Sequence, residues 1–194
     1  MARLSIIIPV LDEGEGLAAA LDALSSLRSL GVEVIVVDGG SHDATIQRAR
    51  LRADHVLKAS RGRALQMNTG AEIAAGDVLL FLHANTRLPD AADHLVLDGL
   101  ARSNRVWGRF DVGAANGGMV SRLHAAFLNL RSRLTGIASG DQAIFVQREV
   151  FRSVGGFPPV EAMEDRALCR RLKQVDRPLL LRERVTLNGS ARAQ

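Results

Sequence analysis

Residues 32–41 read VEVIVVDGGS. Val32, Val34, Ile35, Val36 and Val37 leave only Glu33 polar before Asp38, so the run lacks the alternation of a half-exposed strand. A near-continuous β-branched run of this length is the pattern of a strand buried on both faces, as in a parallel sheet covered by helices. The Asp38-Gly39-Gly40-Ser41 stop is turn chemistry. Such a strand needs partners of the same kind and helices between them. Upstream, Leu4–Val10 (LSIIIPV) is a second apolar strand, and Gly16–Leu30 carries Leu17, Leu21, Leu24 and Leu27 at helical spacing. Downstream, Asp54–Lys58 reads as a short strand, Arg63–Ala75 as a helix, and Val78–Leu82 as a fourth strand after Gly76-Asp77. The order βαβαβαβ predicts a doubly wound α/β half.

The remainder is less regular. Strands are predicted over Arg105–Gly113, Gln142–Gln147 and Pro178–Val185, with a helix over Glu164–Gln174. Met119–Leu134 is predicted as an amphipathic helix with Met119, Leu123, Phe127, Leu130 and Leu134 in line. Arg122, His124, Arg131 and Arg133 lie off that stripe. Such a helix either covers the core or meets a membrane surface or lipid acceptor. One domain is expected over 1–187, followed by a loose polar tail, 188–194.

Composition narrows the classes. The chain has 194 residues (20.9 kDa), 47% of them apolar and 24% charged, which suits one folded domain and excludes disorder. No apolar run reaches the length of a membrane span. Met-Ala-Arg-Leu-Ser-Ile-Ile-Ile is too strand-like to be expected as a signal peptide. A lone Cys169 excludes an internal disulfide and fits a reducing cytosol. Net charge is +4, and of the 25 Lys and Arg only Lys58 and Lys173 are lysines. The arginines are scattered, aromatics are 4% and tyrosine is absent, so no nucleic-acid partner is expected.

In an open parallel sheet, ligands collect at the carboxyl ends of the strands. Those ends deliver Pro9 then Asp12-Glu13, Asp38-Gly39-Gly40-Ser41, Arg61-Gly62-Arg63, and His83-Ala84-Asn85. Four strands that aim polar groups at one edge describe a site. Gly14-Glu15-Gly16-Leu17-Ala18-Ala19 also fits the dinucleotide fingerprint G-x-G-x-x-A, with Asp38 near the distance of a ribose-binding acid. Against an NAD-dependent oxidoreductase, those glycines begin several residues past the strand end. Asp12 and Glu13 would also set negative charge where a pyrophosphate must lie.

The ordered set SIIIPVLDEGEGL, EVIVVDGGSHDAT, RGRALQMNTGAEIAAGDVLLFLHANTRLP, GDQAIF and GGFPPVEAMEDRALCRRLK resembles the family 2 glycosyltransferases of GT-A fold, and more narrowly a subgroup of small, soluble bacterial enzymes. The resemblance runs from residue 4 to about 185. It implies a mostly parallel central sheet flanked by helices, with a nucleotide-binding half at 1–88 and an acceptor and catalytic half at 89–187. It implies inverting transfer of a sugar from a nucleoside-diphosphate sugar, such as a UDP-sugar, to an acceptor hydroxyl on a lipid or saccharide. A cytoplasmic enzyme is expected, with peripheral attachment to the inner membrane as an alternative.

The resemblance also implies roles. Pro9, Glu13 and Asp38 would line the nucleoside pocket, Arg61 and Arg63 would reach the diphosphate, and Asn68 and Gly70 of MNTG would approach the nucleotide. Each has a structural alternative: an Asx-turn for Asp38, first-turn helix charge for Glu13, and a solvated surface pair for the arginines. His83-Ala84-Asn85 falls on the family's Asp-x-Asp position, where a carboxylate holds Mg²⁺ or Mn²⁺ against the phosphates. The subgroup tends to read His-Ala-Asp, so Asn85 departs from it. An amide oxygen can ligate a hard cation but adds no charge, and His83 would favour Mn²⁺. Asn85 as a plain turn residue is the alternative. Asp165 matches the catalytic base position with Glu164 beside it, although both could simply begin a helix. Asp141 and Gln142 match the acceptor side. Asn85 also leaves open a protein that binds the nucleotide sugar with little catalysis.

Overall fold

The computed structural model describes residues 3–114, 118–159 and 163–187. In its first half the elements are β1 (Leu4–Val10), α1 (Gly14–Asp22), α2 (Ser25–Ser29), β2 (Glu33–Asp38), α3 (Thr45–Arg50), β3 (His55–Lys58), α4 (Arg63–Ile73) and β4 (Val78–Phe81). The second half holds β5 (Thr86–Arg87), α5 (Ala92–Ser103), β6 (Trp107–Gly113), α6 (Met119–Thr135), β7 (Phe145–Gln147), α7 (Arg148–Ser153), α8 (Glu164–Val175) and β8 (Leu179–Leu187). A single 3₁₀ turn, Gly140–Gln142, precedes β7.

All eight strands join one sheet in the order β3-β2-β1-β4-β7-β6-β8-β5. β1 to β4 are parallel, as the apolar runs predict. β7 is antiparallel to both β4 and β6, β8 runs parallel to β6, and β5 closes the far edge antiparallel to β8. The unbroken apolar run of β1 divides between two cores because alternate side chains face opposite ways. Ile6 and Ile8 pack with Val34, Val36, Leu17, Leu21 and Leu24 on one face. Ile7 packs with Ile35, Val37, Met67, Ala71, Leu168 and Leu172 on the other. Helix α4 lies close enough to the sheet that a Cβ on Gly70 would meet Ile7 Cγ2 at 2.6 Å and Val37 Cγ2 at 3.1 Å. This position requires a glycine.

Several boundaries differ from expectation. The helix predicted over Gly16–Leu30 is two helices, α1 and α2, with Leu24 tightened to an i→i−3 bond on Leu21. Ser25 and Ser26 are poor helix continuers, which favours the break. The strand expected from Gln142 begins at Phe145, because Gly140–Gln142 coils under a capping box with Ser139 and Ala143 takes φ 45°. The short β5 and helix α5 were not foreseen. α6 forms where expected, but Met119, Leu123, Phe127, Leu130 and Leu134 point outward; among its described side chains Ala125, Leu128 and Ser132 are the buried ones. Among the described residues no helix is long and apolar enough to cross a membrane. The tail at 188–194 lies outside the described residues, as do 160–162 in the stretch before Glu164.

Candidate active site

The loops after β1 and β2 are laced together. Asp12, at φ 51°, donates its N–H to Ser41 Oγ (2.9 Å), and its Oδ1 accepts from His42 N (2.8 Å). Thr45 Oγ1 accepts from Glu13 N at 3.0 Å, and Asp43 Oδ2 from Gly14 N at 2.9 Å. The N-terminus of α1 is therefore capped by an anion of the chain itself. A pyrophosphate has no place there, which removes the dinucleotide alternative for Gly14–Ala19. Asp38 is fully buried and accepts from Gly40 N (3.0 Å) and Ser41 N (3.1 Å), the Asx-type closure of its own loop.

Beside this edge lies a cleft of about 570 Å³, lined by Pro9, Glu13, Arg61, Arg63, Gln66 and Glu164 among others. The volume suits a nucleotide-sized ligand. Gln66, unremarked in the sequence, shapes its floor. Its buried carboxamide donates to Val10 O and Val37 O, both at 2.8 Å, tying the ends of β1 and β2 together. No signal in the sequence singles it out, because α4 also carries Asn68, Thr69 and Glu72.

Asn68 and Gly70 are not among the residues lining this cleft. The Asn68 amide brackets Phe157, donating to its O and accepting from its N, both at 2.9 Å. It fastens the Gly155-Gly156-Phe157 bend to α4, and Gly70 serves the helix–sheet contact.

A second, smaller cleft of about 290 Å³ adjoins the first through Arg63. It is lined by Arg63, His83, Ser139, Gly140, Asp141, Met163, Asp165 and Arg166. Arg63 Nε stands 2.7 Å from the buried Glu164 Oε1 at the junction. Glu164 and Asp165 open α8, and both are buried, against the expectation for mere first-turn charges. Burial pushes the Asp165 carboxyl above its ordinary value, opposed by nearby His83 and reinforced by Glu164. His83 Nδ1 lies 3.6 Å from Asp141 Oδ1, an ion-pair contact beyond hydrogen-bonding range, and its proximity holds the Asp141 carboxyl below the usual range. His83 Nε2 is buried without a hydrogen-bond partner among the described residues.

Gly140 sits beneath this group. A Cβ there would meet His83 Nε2 at 2.4 Å and Asp165 Oδ2 at 2.6 Å, so both side chains converge over the glycine. Gln142 is turned away, buried against α6, with Nε2 donating to Ser132 Oγ at 3.1 Å. Asn85 lines neither cleft. It lies in the turn closed by Thr86 N on His83 O (2.9 Å), and its Oδ1 accepts from Thr86 Oγ1 at 3.3 Å. Cys169 is buried, its thiol pushed up to about 12, and is chemically inert.

Residues 5–154 match the family described as Glycosyl transferase family 2. A PGL/p-HBAD biosynthesis glycosyltransferase of Mycobacterium bovis (strain BCG / Pasteur 1173P2) is 31% identical over 170 residues, covering 79% of this chain and 62% of that protein. Glycosyltransferase AglE of Haloferax volcanii is 28% identical over 172 residues, covering 79% and 55%. The chain thus spans little more than half the length of these relatives. Among solved structures, the mannosyltransferase PcManGT from Pyrobaculum calidifontis, in complex with GDP-Man and Mn²⁺, superposes with a TM-score of 0.78 at 20% identity, covering 99% of this chain and 58% of that one. S. aureus TarS 1–349 in complex with UDP-GlcNAc gives 0.79 at 17%, covering 97% and 59%. The fold is that of the GT-A glycosyltransferases, and the chain belongs to glycosyl transferase family 2.

Proposed function

We propose that the chain is an inverting glycosyltransferase that moves a sugar from a nucleoside-diphosphate sugar to an acceptor hydroxyl. The carrying observation is the pair of adjoining clefts, one of nucleotide size, the other holding the buried Asp165 across the Arg63–Glu164 pair. Pro9 and Glu13 flank the nucleoside in the larger cleft. Asp38 acts there through the loop it closes, and Arg61 and Arg63 face the diphosphate, where guanidinium groups suit phosphate oxygens. Asn68 and Gly70 contribute by fixing α4, whose first turn lines the cleft.

In the transfer, the acceptor oxygen forms its bond to the anomeric carbon as the carbon–oxygen bond to the diphosphate breaks. The hydroxyl proton passes to Asp165, and the nucleoside diphosphate leaves as an anion against the arginines. A carboxylate whose pKa is raised by burial is a stronger base once ionised. Glu164, held by Arg63, keeps α8 and hence Asp165 in place. Asp141 and Gln142 stand on the acceptor side, Gln142 by anchoring the turn that carries Asp141.

Among the described residues no group of three His, Cys, Asp or Glu side chains is gathered to hold a metal ion. A cage built of protein ligands alone therefore does not fit. What fits is one protein ligand, the buried and unpartnered His83 Nε2, with the donor's phosphates supplying the rest; Asn85 would offer at most a neutral oxygen. Mg²⁺ or Mn²⁺ held this way would offset charge on the departing diphosphate. The same weak donor set favours the second reading, a protein that binds the donor but turns it over slowly.

Replacing Asp165 by Asn tests the assignment. Donor hydrolysis and transfer are expected to vanish while UDP or GDP affinity stays within a few-fold. Activity that survives the change removes Asp165 as the base. We further infer a cytoplasmic enzyme attached peripherally to the inner membrane, acting on a lipid or saccharide acceptor.

A further inference from the structure

Helix α6 has two apolar faces, and the described residues cover only one. Ala125, Leu128 and Ser132 pack inward, and the Asn129 amide grips the main chain of β6, accepting from Val112 N (2.8 Å) and donating to Val112 O (2.9 Å). On the opposite side Met119, Leu123, Phe127, Leu130 and Leu134 are 79%, 65%, 62%, 58% and 78% exposed. At about 100° per residue all five fall within an arc of roughly 80°, in a stripe about 22 Å long. The other exposed large apolar side chains are Leu30 at the end of α2, Leu51 at the end of α3, Leu65 and Ile73 on α4, and Met163 and Val175 at the ends of α8, at most two to an element. A continuous exposed stripe marks an interaction surface.

The charges beside the stripe select its partner. Arg122 and Arg133 fall along one edge, and His124 and Arg131 along the other. No Asp or Glu occurs between residues 119 and 135. Arg133 reaches Asp111 yet stays partly exposed; the Nε and Nη2 of Arg131 are buried without a partner among the described residues, so Arg122 and Arg133 are the arginines the stripe presents to solvent. A second copy laid antiparallel on the stripe would bring Arg122 against Arg133 of the other helix, setting like charges together. An apolar strip bordered by cations and free of acids matches an interface of acyl chains beneath anionic headgroups.

We propose that the outer face of α6 docks on an anionic lipid bilayer, with the helix lying in the plane of the surface. The placement has a consequence for the site. Past its αL cap at Gly136 the helix leads directly into the Gly140–Gln142 turn, Gln142 is bonded back to Ser132 on its inner face, and His124 adds to the field on Asp141. Docking therefore sets the smaller cleft beside the membrane, where a lipid-borne hydroxyl could reach Asp165. That consequence rests on the transferase reading; the docking does not.

The test is co-sedimentation of the full chain with vesicles of phosphatidylcholine alone and of phosphatidylcholine mixed with phosphatidylglycerol, alongside titration with UDP and GDP. Binding is expected only to the phosphatidylglycerol vesicles and is expected to weaken as salt rises. The double change Leu123→Glu, Phe127→Glu should cut partitioning at least about tenfold, and Arg122→Ala about fivefold. Nucleotide binding should be unchanged in both variants, because none of the three residues lines the donor cleft. A wild-type chain that ignores these vesicles overturns the proposal, as does a double variant that binds them equally well. A dimer in sedimentation velocity that the double variant dissolves also overturns it, by assigning the stripe to a second copy. Loss of nucleotide binding by the wild type would count against the proposed reaction and leave the docking result intact.

Discussion

Replacing Gly140 by alanine should disable the site while leaving the donor cleft whole. The new Cβ would lie 2.3 Å from His83 Cε1, 2.4 Å from His83 Nε2 and 2.6 Å from Asp165 Oδ2. Ordinary contact begins near 3.4–3.5 Å, so the imidazole and the carboxylate must each retreat by about 1 Å. Gly140 is not at positive φ, so the backbone itself accepts alanine. The displaced groups are side chains at a cleft, and overpacking of this kind costs about 1–3 kcal/mol of stability. A 1 Å misplacement of a reacting group costs about a hundredfold in rate. The expected outcome is a fall in kcat of that size with UDP or GDP affinity nearly unchanged, measured by donor turnover and calorimetric titration on one preparation. Unchanged kcat would refute the convergence of His83 and Asp165 as the reacting centre. Equal loss of affinity and rate would mean that the two clefts are not separable.

Asn68→Ala removes both bonds to the Phe157 main chain and should cost about 2–3 kcal/mol in denaturant unfolding; a loss below about 0.5 kcal/mol would show that the bracket is not structural. Asn85→Asp adds a charge in the turn that follows His83 and should tighten Mn²⁺-dependent donor binding by about 1–2 kcal/mol, with no change when the metal is chelated; no gain means that any metal is held without residue 85. Because burial raises the Asp165 pKa, the acidic limb of kcat/KM should fall at a pH above the ordinary carboxylate value of about 4, and a limb at or below it would contradict the assignment. The linkage has a definite sign. A carboxyl with a raised folded pKa costs stability as pH climbs past its unfolded value, so Asp165→Asn should hold or raise Tm at neutral pH.

The parallel half was legible because strands buried on both faces need no alternation, and β1 and β2 show none. Even there Leu24 defeated the helix reading, since the leucine period runs on through Ser25 and Ser26 while the backbone breaks. α6 shows the opposite limit. Its period predicted a helix correctly, but periodicity cannot tell which of two apolar faces meets the core; Ala125 and Leu128 do, and the larger residues do not. At the site, the strand-end rule brought Pro9, Glu13, Arg61, Arg63 and His83 to the two clefts, and Glu164 and Asp165 arrived from far along the chain. Gln66 was not legible, because its role depends on two carbonyls 29 and 56 residues away. Gly140 was missed because only the packed structure reveals what a methyl group there would strike.

The central claim is that the edge formed by the loops after β1 and β3 and the start of α4 holds a nucleoside diphosphate, with Asp165 facing its sugar. Calorimetric titration of the intact chain with UDP, GDP and NAD, repeated with Arg61→Ala and Arg63→Ala, tests it most directly. The account predicts one-to-one binding of UDP or GDP that each arginine change weakens, and none of NAD. Failure of both nucleoside diphosphates to bind, or binding indifferent to Arg61 and Arg63, would contradict it.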